Sequence, residues 1–236
     1  TSTNFIGGVP FDITTFPATD PVAVALGAKP LDAEESKNYS IGAVFQFGRA
    51  SLTIDAYQIN IDDRIVLSGR FDADNYPALG GILAGLGVGQ AQFFVNSVNT
   101  ETKGVDLTVS HKADIAGGKL STYLALNYSK TEVTGIKAPP SLRGFEDVLL
   151  SERERLFIEQ GGPRSKATLG FDYVTGPWET DLKVIHFGPQ TLGTFSGTAG
   201  GVPNARYEAK TSADLSLTYA FDRNTKITIG GANIFN

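Results

Sequence analysis

The chain has 236 residues, a formal net charge of -5, a sequence pI near 5.1 and no cysteine. This acidic balance argues against a nucleic-acid partner, and the lack of cysteine excludes disulfides and thiolate metal sites. Because the chain has only two histidines, we predict no metal site and no cofactor, and the absence of an apolar run of about 18 residues excludes a transmembrane helix.

About eight segments alternate apolar and polar residues with a period of two, the pattern of β-strands that have one apolar face. Each is close to the roughly 9–11 residues that a tilted strand needs to cross a bilayer. In chain order the segments are residues 39–47, 52–61, 105–110, 120–128, 166–173, 178–184, 213–219 and 226–230.

The second segment changes phase along its length. Its apolar residues occupy even positions up to Ala56 and odd positions from Tyr57 onward. Two explanations are equally open at this point. A β-bulge would shift the phase, and so would a strand that leaves a membrane and continues as a solvated hairpin.

Short and long connections alternate between the segments. The short ones are residues 48–50, 111–118, 175–177 and 222–224, and the long ones are about 66–99, 131–163 and 188–205. In an antiparallel meander, all short turns then lie at one end and all long loops at the other. Compact domains rarely carry such loops, whereas outer-membrane barrels combine short periplasmic turns with long extracellular loops. We predict an all-β, antiparallel transmembrane β-barrel meander, with residues 1–37 as an extracellular loop and 38–236 as strands and loops.

Aromatic residues cluster beside the short turns. Trp and Tyr favour the bilayer interface, because the ring is apolar while the N–H or O–H group stays hydrated. We therefore predict an aromatic girdle, although ordinary core aromatics of a β-sandwich would give the same pattern. The predicted girdle consists of Phe45, Phe47, Tyr173, Trp178, Tyr219 and Phe221.

Alternation alone does not say whether the apolar face meets lipid or a protein core. A soluble barrel would turn that face inward. The polar positions here are mostly small residues, and the apolar positions of the segments carry no Lys or Arg, which would cost about 2–4 kcal/mol at the bilayer midplane. His186 has the apolar parity but lies at the long-loop end of its strand. We expect the apolar face to meet lipid and a polar lumen to be lined by Asp55, Asp106, Asn127, Asp172, Lys183 and Asp214.

Both ends of the chain are predicted to lie on the long-loop side of the sheet. Complete barrels of this class keep both ends in the periplasm. We therefore expect the chain to be a fragment of a larger barrel, with at least one further strand on each side.

Several stretches, in this order and spacing, resemble the C-terminal part of a TonB-dependent outer-membrane receptor. KPLDAEESKNYSIGAVFQF and ASLTIDAYQINIDDRIVLSG resemble a down strand, a tight turn and a strand ending in Asp-Arg-Ile. FFVNSVNTETKGVDLTVS resembles the strand that re-enters the barrel, and ERERLFIEQGGPRSKATLGFDY, WETDLKVIHFG and TKITIGGANIFN resemble later hairpins and the penultimate strand. The resemblance covers the chain from about Lys29 onward.

The resemblance implies that the strands belong to a roughly 22-strand barrel in the bacterial outer membrane. It also implies a receptor that imports a scarce ligand, such as an iron-siderophore, cobalamin or a glycan. The family's plug domain and its box for the TonB energy-coupling protein are expected in a missing N-terminal part. The lumen-facing residues would then brace the wall against the plug, and the outer face would contact lipid and lipopolysaccharide.

Loop residues above the pore are the candidates for ligand contacts, because aromatic rings stack on catecholates and sugars. Arg143, Arg153 and Arg155 could also contact ligand or neighbouring lipopolysaccharide. The predicted ligand-binding residues are Tyr76, Phe93, Phe94, Arg143, Phe157 and Phe195.

Two segments invite an enzymatic interpretation that their residues do not support. The glycine-rich residues 80–90 lack the G-x-G-x-x-G spacing and the βαβ unit of a nucleotide-binding loop. The carboxylates of residues 146–154 have no nucleophile or orienting histidine beside them. We predict loops in both places and no catalytic residue. The alternatives to a receptor are a passive porin-like diffusion pore and a soluble β-sandwich binding module.

Overall fold

The computed structural model describes residues 2–6, 9–74, 76–193 and 204–235. Most of these residues lie in β-strands, and short helices occur between some of them. In chain order the elements are β1 (Ser2–Ile6), β2 (Val9–Phe16), α1 (Pro21–Ala25), β3 (Glu35–Phe47), β4 (Ala50–Leu67), β5 (Phe71–Asp72), α2 (Pro77–Gly85), β6 (Gln90–Ile115), β7 (Gly118–Ile136), a 3-10 turn (Pro140–Leu142), α3 (Glu146–Leu149), α4 (Glu152–Gln160), β8 (Ser165–Thr175), β9 (Trp178–Phe187), β10 (Gln190–Leu192), β11 (Ala205–Tyr207), β12 (Lys210–Ala220) and β13 (Lys226–Gly231).

The main sheet has 11 strands within the described residues. Its long strands β3, β4, β6, β7, β8, β9, β12 and β13 follow one another as antiparallel neighbours. The prediction of an all-β antiparallel meander is therefore confirmed, and each predicted segment lies in one of these strands. β10 and β11 form a separate two-stranded hairpin.

The tight turns use backbone conformations that suit glycine. Gly48, Gly117 and Gly176 have φ angles of 55°, 77° and 54°, in the left-handed region that a side chain disfavours. In the turn between β12 and β13, the Asp222 carboxylate accepts the backbone N–H of Asn224 at 2.7 Å. These local features let each strand reverse direction within a few residues.

Several strands are longer than the sequence pattern indicates. β4 reaches Leu67, β6 begins at Gln90 and β7 ends at Ile136, so part of the predicted long loops 66–99 and 131–163 is strand. At the other end, β6 pairs with β7 as far as Ile115, which shortens the predicted 111–118 connection. Backbone pairing needs no apolar alternation, and the strands therefore continue where their side chains become charged.

The phase change in β4 is not caused by a β-bulge at Ala56. The register between β4 and β6 is continuous from Ala50 to Ile61 and shifts only between Ile61 and Arg64. Tyr57 and the odd-numbered residues after it therefore lie on the polar face of the sheet. The strand does continue past the alternating segment, as the second explanation requires, although it leads into a packed substructure.

The hydrophobic core lies at the long-loop end of the sheet. Residues 14–28, 66–98 and 136–150 contribute almost all of its side chains, and we call these residues the cap. The two largest fully buried side chains, Phe71 and Phe93, stack with ring centroids 5.2 Å apart. The long loops are thus partly folded into a structure with its own core.

Short helices replace two predicted loops in this region. Pro77 occupies the first turn of α2, where its missing N–H is not needed, and Leu79 and Leu83 are buried four residues apart. The glycine-rich residues 80–90 therefore include a helix, contrary to the prediction. The charged residues 146–160 likewise form α3 and α4, and acidic residues occupy the first turn of each, where they favour the helix dipole.

The cap packs against the polar face of the sheet. Val98 and Thr100 continue the even-numbered, polar-face alternation of β6 and are 0% and 2% exposed. On the opposite face, Lys103 and Val105 remain exposed. The cap therefore covers the same side of the sheet that carries the predicted lumen residues.

Candidate functional site

The cross-strand register aligns the apolar positions of neighbouring strands on one face. Each predicted segment contributes to this face with the parity that the sequence indicated, although β4 does so only through its even-numbered positions as far as Ala56. One row of successive partners across seven strands is Phe45, Leu52, Val109, Leu124, Leu169, Val184 and Ala213.

The apolar face is largely open to the surroundings. Ile41 is 78% exposed, Ile229 is 76% exposed, and Leu169 and Leu215 are exposed as well. On β6 the face runs without Lys, Arg, Asp or Glu from Val105 to the short turn. A strand of this length, tilted by about 40°, spans about 25 Å, the height of the apolar band of a membrane barrel.

Aromatic rings meet on this face beside the short turns. The ring of Trp178 lies edge-on to Tyr219 at 4.6 Å, and Tyr219 lies edge-on to Phe221 at 4.9 Å. Phe45 and Phe47 stack with centroids 6.3 Å apart. The first three rings also line an apolar groove of about 480 Å³ together with neighbouring Leu and Ile side chains.

Tyr173 has a local structural partner. Its hydroxyl donates to the backbone carbonyl of Ile115 at 3.1 Å and lies 3.4 Å from that of Ala116. Its ring covers Gly118, where an added Cβ would lie 2.8 Å from the ring. Tyr173 thus braces the turn between β6 and β7 as well as lying beside the rings at the short-turn end.

All six predicted lumen residues lie on the polar face. Asn127 donates to Asp106 at 2.5 Å, and Lys183 pairs with Asp214 at 3.9 Å. The Asp55 side chain lies across Gly42, whose added Cβ would fall 2.0 Å from the carboxylate.

Carboxylates face one another at two places on the polar face. Asp55 is the register partner of Asp106, and Asp172 is the register partner of Asp181. Like charges directly opposite each other destabilise an isolated sheet. The polar face therefore presents clustered negative charge in the part of the sheet that lies below the cap.

The six predicted ligand-binding residues do not form one cluster. Phe93 is fully buried against Phe71, so its ring is not available to a ligand. Phe94, on the opposite side of β6, is 45% exposed. Phe195 lies outside the described residues.

Tyr76 and Arg143 share one part of the cap. The Tyr76 hydroxyl donates to Asp147 at 3.2 Å, and its ring lies edge-on to Phe145 at 6.0 Å. Burial, together with the negative charge and hydrogen bond of Asp147, raises the pKa of Tyr76 to about 12. Arg143 is exposed and lies two residues before Phe145 in the chain.

Phe157 lies on α4 with the arginines that the sequence singled out. The Arg153 guanidinium covers the Phe157 ring at 4.6 Å and pairs with Glu154 at 2.8 Å. Arg155 pairs with Glu159 at 3.1 Å. These two arginines therefore have partners within α4 itself.

Sequence reasoning missed a polar cavity of about 320 Å³ between the cap and the tip of β7. Lys137 pairs there with Asp63 at 2.6 Å, and Asn96 donates to the Asp63 carbonyl at 2.7 Å. The hydrogen bond that Lys137 donates to the Asp63 carboxylate raises the pKa of Lys137. These residues are far apart in sequence, and no local motif joins them.

Arg70 is another residue without a sequence signal. Burial lowers its pKa, and the like charge of Arg153 lowers it further, while Glu154 and Asp72 act in the opposite direction.

The described residues contain no group of three or more His, Cys, Asp or Glu side chains suited to a metal ion. Among the same residues, no helix combines the length and apolar character needed to cross a membrane.

A family model described as the TonB dependent receptor-like β-barrel matches residues 2–236. The chain belongs to the TonB-dependent receptor β-barrel family. This is a family of receptors rather than enzymes, and the resemblance predicted from the sequence is confirmed. No curated protein sequence matches the chain.

Solved structures of this family share the fold. The FrpB iron transporter from Neisseria meningitidis has a TM-score of 0.57 at 16% identity, over 86% of this chain and 26% of its own. The ferric yersiniabactin uptake receptor FyuA from Yersinia pestis has a TM-score of 0.57 at 18% identity, over 88% of this chain and 26% of its own. The ferripyoverdine receptor of Pseudomonas aeruginosa has a TM-score of 0.55 at 14% identity, over 89% of this chain and 24% of its own. The chain thus spans about a quarter of the length of these proteins.

Proposed function

We propose that this chain forms the C-terminal part of the β-barrel of a bacterial outer-membrane receptor for energy-coupled uptake of a scarce ligand. An iron-siderophore, cobalamin or a glycan is the expected ligand class. The TonB protein would supply energy through the N-terminal part of the whole receptor. The observation that carries the proposal is the continuous, exposed apolar face that the register aligns across the long strands.

The apolar face supports a position in a membrane. Its exposed Leu, Ile and Val side chains would remain in water in a soluble module, whereas acyl chains cover them in a bilayer. The rings of Trp178, Tyr219 and Phe221 beside the short turns suit the periplasmic interface. We therefore assign the short turns to the periplasm and the cap to the outside of the cell.

The polar face and the cap support a ligand path. Side chains on the polar face pair with one another in a way that suits a wet lumen, and the facing carboxylates offer negative charge to a plug domain with basic groups. Because the cap packs on this same face, it lies over the lumen. We assign ligand contacts to its exposed groups, first of all Arg143.

Uptake by whole cells tests this function. Cells that express the complete receptor are compared with a deletion strain for uptake of labelled ferric siderophore, cobalamin and oligosaccharide. We expect one ligand class to accumulate only with the receptor and only when TonB is present. For that ligand, Arg143→Gln should weaken half-saturation roughly tenfold, because a hydrogen bond to a charged group contributes about 1.5–3 kcal/mol.

Arg155→Gln is the matched control, because Arg155 already pairs with Glu159 on α4, and this change should leave uptake nearly unchanged. Uptake that persists without TonB would contradict the proposal and favour a passive porin. A complete protein that is soluble and monomeric without detergent would favour a β-sandwich binding module.

A further inference from the structure

Six residues connect the cap to the sheet as a segment outside any helix or strand. Residues 29–34 run from the end of the α1 region to β3, and every one of them is exposed. We call these residues the strap. Its two ends are fixed, because the buried Ala28 donates its N–H to the Ala23 carbonyl at 2.8 Å, and Glu35 pairs with Asp62 in the sheet. The strap can therefore move between its ends without unpairing the strands.

One side chain holds the middle of the strap. The side-chain oxygen of Asn96 accepts the Asp32 N–H at 2.9 Å, and the side-chain NH₂ group donates to the Asp32 carbonyl, also at 2.9 Å. The same NH₂ group donates to the Asp63 carbonyl at 2.7 Å. Both N–H donors and the oxygen of Asn96 are thus engaged. Asn96 therefore clamps the strap through the backbone of Asp32.

A β-bulge explains why Asn96 is available for this contact. The register between β4 and β6 shifts twice between residues 61 and 65, and Asp63 has a φ angle of 55°, which is uncommon for a residue with a side chain. Asn99 accepts the Asp63 N–H at 3.1 Å, while Asn96 donates to its carbonyl. Bulges of this kind redirect side chains. Side chains thus replace the backbone ladder at the bulge, and one of them reaches the strap.

The strap forms one wall of the polar cavity of about 320 Å³. Lys29, Pro30 and Asp32 line this wall, residues 137–140 line another, and Val95 contributes from β6. Val95 is only 8% exposed. The volume lies at the lower end of the range found for small-molecule pockets. A movement of the strap therefore changes access to a cavity that could hold a small molecule.

We propose that the strap is a lid over this cavity and that Asn96 is the latch that keeps the lid shut. Exposed segments with few buried contacts open locally at a much lower free energy than a packed core. Glu34 adds a second attachment, because its carboxylate accepts the Ile65 N–H at 2.7 Å, but this bond lies at the β3 end, where the strap is already fixed. Release of Asp32 from Asn96 therefore opens the cavity while the core of the cap stays packed.

Labelling of a single cysteine tests the lid in a complete receptor that has no other cysteine. Val95→Cys places a thiol at the cavity, and its reaction with the uncharged reagent methyl methanethiosulfonate is followed over time. We expect Asn96→Asp to raise the labelling rate on the order of tenfold. The aspartate keeps the size of the side chain but donates no hydrogen bond to the Asp32 and Asp63 carbonyls, and this loss shifts the equilibrium between shut and open lid by about that factor. An unchanged rate would overturn the proposal.

Val98→Cys is the matched control for loosening of the whole cap. Val98 lies on the same strand, is fully buried in the core of the cap and is not among the described residues that line the cavity. We expect Asn96→Asp to change the labelling rate at this position by less than twofold. An equal rise at both positions would mean that the cap as a whole opens, and it would overturn the assignment of a lid.

Asp32→Ala is the control for the latch itself. It removes the carboxylate of Asp32 but keeps the backbone N–H and carbonyl that Asn96 holds. The labelling rate of Val95→Cys should therefore stay within twofold. A rise as large as that of Asn96→Asp would contradict a latch that acts through the backbone. This labelling requires neither ligand nor TonB, so its outcome is independent of the uptake assay that tests the proposed function.

Discussion

Glycines on the polar face have tyrosine rings as partners across the strands. Tyr57 faces Gly104, and Tyr123 faces Gly170, in each case as the direct register partner. An added Cβ would lie 2.2 Å from the Tyr57 ring at Gly104 and 2.0 Å from the Tyr123 ring at Gly170. Glycine normally weakens a strand because it packs no side chain. Here the ring of the neighbouring strand fills that space.

We therefore expect Gly104→Ala to destabilise the barrel. The new methyl group collides with the Tyr57 ring, and overpacking of this kind typically lowers the free energy of unfolding by about 1–3 kcal/mol. The complete receptor, unfolded by urea from lipid vesicles, gives the measurement. Adding Tyr57→Ala should make the double variant less destabilised than the sum of the single changes.

Gly135→Ala is the control on β7, because nothing lies within 4 Å of an added Cβ at that position. If Gly104→Ala proves as stable as Gly135→Ala, the ring does not occupy the space that we assign to it.

At the scale of elements, the sequence predicts the strands well where one face is apolar and the other polar. From Val105 to Val109 and from Leu120 to Tyr128 the alternation is regular, and the register matches it. Beyond Val105 the outer face becomes charged, so the period-two signal ends while backbone pairing continues. The cap is different again, because its helices are short and its core joins residues far apart in sequence. No local period reports such contacts.

One hydrogen bond connects two elements of the cap and depends on pH. Tyr76 precedes α2 and donates to Asp147 of α3. The pKa of Tyr76 is about 12, above the ordinary 10.0, so the neutral phenol is favoured in the folded state. The stability from this group is therefore fully present below pH 10 and is lost as the pH rises toward 12.

We expect the absorbance difference between the complete receptor and its Tyr76→Phe variant, followed at 295 nm, to show one phenol that titrates near pH 12. Asp147→Asn should move this midpoint toward pH 10, because it removes the nearby negative charge. A midpoint near 10 in the unchanged receptor would contradict the contact between the two elements.

At the scale of the whole molecule, the chain is a section of barrel wall with a folded cap at one end. Among the described residues no protein core packs on the apolar face, whereas the cap has a core on the polar face. Hydrophobic burial therefore stabilises the wall only when lipid covers its outer face. The remaining stabilisation of the wall comes from the backbone hydrogen bonds between its strands. Family membership and fold follow from the chain itself, while ligand identity depends on exposed loops, where composition does not specify a substrate.

The orientation of the wall is the central claim, and spin labels on adjacent residues test it directly. The chain has no cysteine, so single cysteines can carry the label at Leu107 or Leu169 on the apolar face and at Thr108 or Thr168 on the polar face. In the complete receptor in vesicles, we expect relaxation of the label by oxygen dissolved in the lipid at 107 and 169, and by a water-soluble nickel complex at 108 and 168. The reverse pattern, or equal access at both members of each pair, would contradict a lipid-facing apolar surface.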